Sequence, residues 1–289
     1  MKKYRSLLLI FLSMVLLNCS KDSTTNPPDN QNIDKSANLL ATGASASDLL
    51  GNANFNDLLI EIAYVEGFRP SQEAMHAFRI FLLERTFKQN IQLVYNELPS
   101  PNEETLTLQE ISDLETKNRT VFNNGTTLGI YIYFADAPDE DDEEEEDLVT
   151  LGTVYRNTSM VIHEATILSL AGKSSFITNA DVESATLNHE FGHLFGLVDL
   201  GTTPVNDHED TDAENHCNVA GCLMRAELQF GGPSGKNNIV TMKNALVSTC
   251  ALSGNSVLKM LEHQKSKGTS AAVDLDAECI LDLQSNGGR

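Results

Sequence analysis

The sequence contains no tryptophan, and aromatic residues make up 6% of its 289 residues. This scarcity argues against an aromatic platform that stacks bases or sugars. Basic residues are also few, because 20 Lys and Arg stand against 41 Asp and Glu, for a net charge of -21. Such a surface repels phosphate backbones, so we expect no nucleic acid among the partners.

The hydrophobic run near the N-terminus is short. Residues 7–17 follow Lys2, Lys3 and Arg5 and precede Cys19. A basic start and about 11 apolar residues, too few to span a bilayer, predict a secretory signal. The stretch 16–19 resembles a bacterial lipobox, in which the cysteine becomes the lipidated first residue. We therefore expect a signal peptide over 1–19, a lipid on Cys19 and a flexible polar tether over 20–47.

Cysteine is sparse, and no Cys-x-x-Cys pair occurs anywhere in the chain. After Cys19 an even number remains, which in an exported protein indicates two disulfides. Proximity favours pairing Cys217 with Cys222 and Cys250 with Cys279. The alternative is a second, structural zinc on these four thiolates, although zinc cysteines are usually more tightly paired.

Residues 48–289 predict one α/β (α+β) domain. Strands and helices alternate along the first half, and three strands follow one another before the next long helix, which favours a mixed sheet with helices packed against it. Nine consecutive acids over 139–147 indicate a solvated loop rather than a calcium site. The predicted strands are 58–65, 91–98, 127–136, 151–157 and 159–167, and the predicted helices are 71–86, 106–119 and one that begins near Asn179.

A metal-binding pattern lies on the last of these helices. Thr178 and Asp181 have the spacing of a capping box at its start. His189 and His193 lie four residues apart, which places both on one helix face within reach of a shared zinc ion. Glu190 is rotated off that axis, so it is suited to hold a water molecule at the metal as general base.

The sequence offers three candidates for the third ligand. Gly196 stands where a helix that stops and turns back needs a positive φ. That turn would bring Asp199 under the metal, and a carboxylate binds zinc at about the same distance as imidazole does. His208 and His216 follow in the next segment, and each is an alternative third ligand because zinc takes imidazole readily.

Together these residues resemble the metzincin zinc peptidases, whose signature is His-Glu-x-x-His-x-x-Gly-x-x-His followed by a Met-turn under the metal. Asp199 stands at the place of the third histidine, and Met224 matches the Met-turn methionine. The lipobox and the segment HCNVAGCLM are also similar to those of bacterial membrane-anchored metalloproteases. One departure is Ala226, where many relatives have a tyrosine.

The resemblance implies a mixed twisted sheet with a backing helix and an active-site helix. These would form an upper subdomain over 48–198, above a smaller, mostly helical and irregular lower subdomain over 199–289. It also implies a zinc-dependent endopeptidase, acting on protein or peptide substrates as a monomer. A strand such as 159–167 would offer its edge to an extended substrate.

We expect the protein to be a surface lipoprotein of the bacterial outer membrane, attached through its lipid anchor. The alternative is a non-catalytic surface binding lipoprotein that retains a structural zinc site. An open fourth coordination position favours the enzyme, whereas closure of the shell by a further histidine favours the binding protein.

Overall fold

A mixed six-stranded sheet forms the centre of the protein in the computed structural model, which describes residues 34–142, 148–226, 248–266 and 273–289. The predicted signal peptide, Cys19, most of the predicted tether and the acids at 143–147 lie outside the described residues. The strands of this sheet are β1 (Asp57–Val65), β2 (Asn90–Leu98), β3 (Thr127–Ala135), β4 (Leu148–Arg156), β5 (Ser159–His163) and β8 (Ser248–Ser253). Their order across the sheet is β2-β1-β3-β5-β4-β8.

Seven α-helices occur in the described part of the chain, and the mixed α/β class predicted from the sequence is confirmed. The predicted helices over 71–86, over 106–119 and from Asn179 are present with bounds that differ by one or two residues. The helices are α1 (Ala46–Leu50), α2 (Gln72–Arg85), α3 (Leu108–Asn118), α4 (Glu164–Ala171), α5 (Asn179–Leu194), α6 (Gly254–Ser266) and α7 (Ala277–Ser285).

The central strands are buried on both faces, which explains their nearly continuous apolar sequence. Along β3, Ile130 and Ile132 face the larger core beneath α2 and α5, whereas Tyr131 and Tyr133 face a smaller core that includes residues of α3. Strands β1, β2, β3 and β5 run parallel, and β4 is antiparallel to both β5 and β8. Helices therefore cover both faces of the sheet.

The predicted strand 159–167 is wrong in its second half. Strand β5 ends at His163, and Glu164 begins helix α4. Strand β5 also lies between β3 and β4, so both its edges are already paired and neither is available to an extended substrate. The outer edge of β4 is in turn covered by β8, a long-range pairing that the spacing of apolar residues cannot reveal.

The described end of the predicted tether over 20–47 is packed against the sheet. Asn38 is fully buried, and its side-chain amide donates to the carbonyl of Gly129 at 3.0 Å and to Thr158 Oγ1 at 3.1 Å. Helix α1 then buries Leu49 and Leu50 in the main core. The chain is therefore anchored to the sheet from about Asn38, by polar contacts that carry no hydrophobic pattern in the sequence.

The segment after Asp199 is irregular, with a short two-stranded sheet of β6 (Glu209–Asp210) and β7 (Ala213–Cys217). Its later part does not stay apart from the main sheet, because β8 pairs with β4. The described residues accordingly form one compact unit. Among the described residues, no helix is long and apolar enough to cross a membrane.

Candidate metal centre

Helix α5 carries the metal-binding pattern and is fixed at its first turn. The predicted capping box is confirmed, because Thr178 Oγ1 accepts from the backbone N–H of Asp181, whose carboxylate in turn accepts from the backbone N–H of Thr178. Lys265 of α6 lies 2.9 Å from the same carboxylate. Capping of this kind stabilises a helix by about 1 kcal/mol.

His189, His193 and His216 come together at the end of α5. The Nε2 atoms of His189 and His193 are 3.2 Å apart, and one ring nitrogen of each of the three histidines lies within 4.8 Å of the others. Two nitrogens that bind one tetrahedral zinc at about 2.05 Å are about 3.4 Å apart. The three imidazoles therefore have the spacing of a shared metal site.

Hydrogen bonds fix the tautomers of two of these rings. Nδ1 of His189 lies 2.7 Å from the carbonyl oxygen of Leu223, and Nδ1 of His216 lies 2.9 Å from that of Glu214. A carbonyl oxygen can only accept, so Nδ1 carries the proton in both neutral rings. Their Nε2 atoms are left with a lone pair, and this arrangement of carbonyl, imidazole and metal is typical of zinc sites.

Burial keeps the three imidazoles neutral. It lowers the pKa of His189 to about 3 and that of His216 to about 4, with the charge of His216 as a further cause at His189. Burial also lowers the pKa of His193, and the neighbouring His189 and His216 lower it further. A metal ion therefore meets three unprotonated rings at neutral pH and displaces no proton from them.

The structure places His216, not Asp199, beside His189 and His193. Gly196 has the expected positive φ of 73°. The two residues that follow it, Leu197 and Val198, turn into the core and are fully buried. Asp199 has φ of 63° and an exposed side chain. The turn therefore buries the two apolar side chains and leaves the carboxylate of Asp199 in solvent.

Glu190 is 1% exposed and packs against strand β4. A Cβ atom added at Gly152 would lie 2.7 Å from Glu190 Cγ and 3.1 Å from its Cδ. Glycine at this position of β4 therefore makes the space that the glutamate side chain occupies. Nothing in the sequence around Gly152 links it to Glu190, because the two residues meet only when the helix packs on the sheet.

Met224 lies fully buried beneath α5. A Cβ at Gly192 would lie 2.2 Å from its Sδ atom, so the helix presents a glycine where the methionine approaches. Its carbonyl accepts from the backbone N–H of Cys217 at 2.8 Å. Met224 thus contacts helix α5 through its side chain and the strand that carries His216 through its backbone carbonyl.

His208 belongs to a different cluster. Its ring lies 3.3 Å from Cys217 Sγ and 2.7 Å from a carboxylate oxygen of Asp282. Neither predicted disulfide, Cys217–Cys222 or Cys250–Cys279, is formed, because Cys217, Cys222 and Cys279 are free thiols. The sulfurs of Cys222 and Cys279 are 3.6 Å apart, and the side chain of Cys250 in β8 is outside the described part.

Comparison of the chain with protein-family models, with curated proteins and with solved structures gives no match. The function is therefore inferred from the residues themselves. The spacing of residues in the sequence identified His189, Glu190 and His193 as a group. It could not identify the Leu223 carbonyl as the hydrogen-bond partner of His189, because a backbone group is present at every residue. His216 is nearer in the sequence to Leu223 and Met224 than Asp199 is, and this is a signal that favours His216 as the third ligand.

Proposed function

We propose that this protein is a zinc-dependent endopeptidase whose metal is bound by His189, His193 and His216. The observation that carries the proposal is the convergence of three buried, neutral imidazoles, two with their Nδ1 protons held by backbone carbonyls. Three protein ligands and one open position are typical of catalytic rather than structural zinc.

The residues present fit zinc rather than a harder cation. Nitrogen donors suit zinc, whereas magnesium and calcium take oxygen ligands. The group of three described above contains no carboxylate. When bound, zinc supplies a Lewis acid that polarises a substrate carbonyl and acidifies a water molecule.

Glu190 is the general base in this proposal. It follows His189 directly and is almost fully buried. Its side chain packs against β4 at Gly152, where the absence of a Cβ atom leaves room for it. It accepts a proton from the attacking water and returns it to the leaving amine, as a positioned carboxylate can.

Membership of the metzincin clan is part of the proposal. It is supported by Met224, which lies under α5, and by the short link from the Leu223 carbonyl to His189. Protein or peptide remains the proposed substrate class, and a lipid on Cys19 the proposed attachment to the outer membrane at the cell surface. We propose a monomer, as the sequence suggests.

The alternative function, a binding lipoprotein with a structural zinc, is less well supported. It requires a fourth protein ligand that closes the coordination shell. Asp199 is exposed, and His208 is engaged by Asp282 and Cys217. The group of three histidines includes neither of these two candidates.

The test is the Glu190→Gln variant, assayed for cleavage of a denatured general protein substrate. We expect zinc content equal to that of the wild type and a fall in activity of at least about 100-fold, as for removal of a general base. A chelator should abolish wild-type activity, and added zinc should restore it.

Glu183→Gln provides a matched control, because it changes a buried glutamate on the same helix that accepts from Ser71 rather than facing the histidines. It should retain turnover per folded molecule. Wild-type activity in Glu190→Gln would sink the mechanism, and a zinc-loaded wild type without peptidase activity would favour the binding protein.

A further inference from the structure

A second cluster of metal-ligand side chains lies in the C-terminal part of the chain. Cys217 ends strand β7, Cys222 precedes the Met224 turn, and Cys279 lies in the first turn of α7. Their thiols are buried and are joined by the ring of His208. Three cysteines and one histidine from three separate segments thus converge at one place.

The distances fit a tetrahedral zinc site. Two sulfurs that bind one zinc ion at about 2.3 Å are about 3.8 Å apart, and a sulfur and a nitrogen about 3.6 Å apart. The Sγ atoms of Cys222 and Cys279 are 3.6 Å apart, and Nδ1 of His208 lies 3.3 Å from Cys217 Sγ. These two distances are each close to the separation expected in a coordinated zinc site.

Backbone N–H groups point at two of the sulfurs. The N–H of Val219 donates to Cys217 Sγ and that of Met224 donates to Cys222 Sγ, each at 3.3 Å. A neutral thiol is a weak acceptor, whereas a thiolate is anionic and accepts strongly. These donors therefore favour the deprotonated form that binds metal.

His208 is oriented by a buried carboxylate. Asp282 is fully buried, and its two oxygens accept from Nε2 of His208 at 2.7 Å and from the backbone N–H of Val205 at 2.6 Å. With the proton on Nε2, Nδ1 of His208 keeps its lone pair, and this atom is the one that lies 3.3 Å from Cys217 Sγ. Metal-binding histidines commonly have such a carboxylate behind them.

We propose that Cys217, Cys222, Cys279 and His208 bind a structural zinc ion, distinct from the metal at His189, His193 and His216. The four thiol and imidazole donors form a closed shell, as structural zinc sites do. Binding displaces the thiol protons to solvent. The cysteines are thus metal ligands rather than partners in disulfides.

Asp276 is the other candidate for the fourth ligand, because its carboxylate and the ligand atoms of His208, Cys217 and Cys279 all lie within 4.8 Å of one another. One of its oxygens caps α7 by accepting from the N–H of Cys279 at 2.8 Å, and the other lies 3.2 Å from Cys217 Sγ. Zinc is borderline-soft and is well served by thiolates in closed sites. Asp276 is therefore assigned as the helix cap and Cys222 as the fourth ligand.

A zinc ion at the cysteine site would stabilise the segment that carries His216 of the histidine site. Cys217 follows His216 directly, and Cys222 stands two residues before Met224. A zinc ion between them would tie the segment 216–224 to α7, in a region where a two-stranded sheet provides little backbone pairing. The irregular C-terminal part would then be stabilised by metal rather than by a large core of its own.

Zinc content of the purified full chain tests the proposal. The wild type should bind about two zinc ions, and His193→Ala, Cys279→Ser and His208→Ala should each bind about one. Asp276→Asn, which keeps a capping side chain, and Cys250→Ser are the matched controls and should retain the wild-type content. Loss of zinc in Asp276→Asn, with retention in Cys222→Ser, would overturn the choice of Cys222.

Cobalt substitution reports on the sulfurs directly. Cobalt bound by thiolates gives strong charge-transfer absorption in the near ultraviolet, which cobalt bound by imidazoles alone does not give. The band should be present in wild type and in His193→Ala. It should weaken in Cys222→Ser.

Two results, both measured on the wild-type protein, would overturn the proposal, so neither depends on whether a variant folds. One is a wild-type protein that binds about one zinc ion and shows no thiolate band. The other is a disulfide that joins the peptides of Cys222 and Cys279 in the unreduced protein. Neither result depends on peptidase activity, so failure of this site is distinguishable from failure of the proposed function.

Discussion

Nδ1 of His189 donates to the carbonyl oxygen of Leu223 at 2.7 Å, across 34 residues of chain. The bond joins helix α5 to the turn that contains Met224. Because the carbonyl can only accept, it fixes the proton on Nδ1 and leaves Nε2 of His189 facing Nε2 of His193. A backbone group thus decides which nitrogen is available to a metal.

His216→Ala should remove zinc from the site, whereas Asp199→Ala should not. His216 stacks on His189, with ring centroids 5.4 Å apart, while the Asp199 side chain is exposed. Loss of one of three ligands should weaken zinc binding by more than the roughly 10 to 100-fold typical of an outer-shell change. Competition with a zinc-binding dye measures both affinities. Zinc loss in Asp199→Ala alone would reverse the assignment.

Gly152→Ala should reduce activity while zinc content remains unchanged. The added methyl would meet Glu190 Cγ at 2.7 Å and Thr186 Cγ2 at 3.1 Å, so the glutamate side chain must move. A displacement of about 1 Å can cost about 100-fold in rate. Steady-state kinetics should show the loss in kcat rather than in KM. Wild-type kcat would mean that the carboxylate position is not set by this glycine.

Met224→Ala should destabilise the protein by about 2 to 5 kcal/mol, as expected for truncation of a buried methionine. The side chain is fully buried against Gly192. Met224→Leu keeps the volume and should cost less than about 1.5 kcal/mol. Urea unfolding of the zinc-loaded proteins measures both. Equal losses in the two variants would show that the sulfur atom, not the volume, is required.

Glu164→Gln should make stability less dependent on pH. Burial, and then the charge of Glu183, raises the pKa of Glu164 to about 10. In the unfolded chain a glutamate has a pKa of about 4.3, so the folded state holds a proton that the unfolded state loses above that pH. The stability from this proton is complete below about pH 4.3 and falls as pH rises toward the folded pKa, by up to about 1.4 kcal/mol per unit.

Glutamine keeps the shape of the neutral acid and does not titrate. The free energy of unfolding of Glu164→Gln should therefore decline less than that of the wild type between about pH 5 and pH 8. Urea unfolding across this range makes the comparison. Parallel curves for the two proteins would show that Glu164 is ionised in the folded state.

Local sequence patterns determined most of the elements. Three of these patterns depend only on residues close together in the sequence, so they can be recognised without the tertiary structure. They are the alternation and apolar runs of the strands, the capping box at Thr178, and the four-residue spacing of His189 and His193. The predicted strand 159–167 was wrong after His163, because a short apolar stretch suits a buried strand and a buried helix alike.

The sequence by itself determined that a helix would present His189 and His193 on one face with Glu190 beside them. Tertiary structure decided the rest: the approach of His216 and the exposure of Asp199, the space for Glu190 at Gly152, and the gathering of three cysteines around His208. These depend on how separate segments pack. A local pattern can specify the face of a helix, but it carries no record of which distant residue the folded chain brings to it.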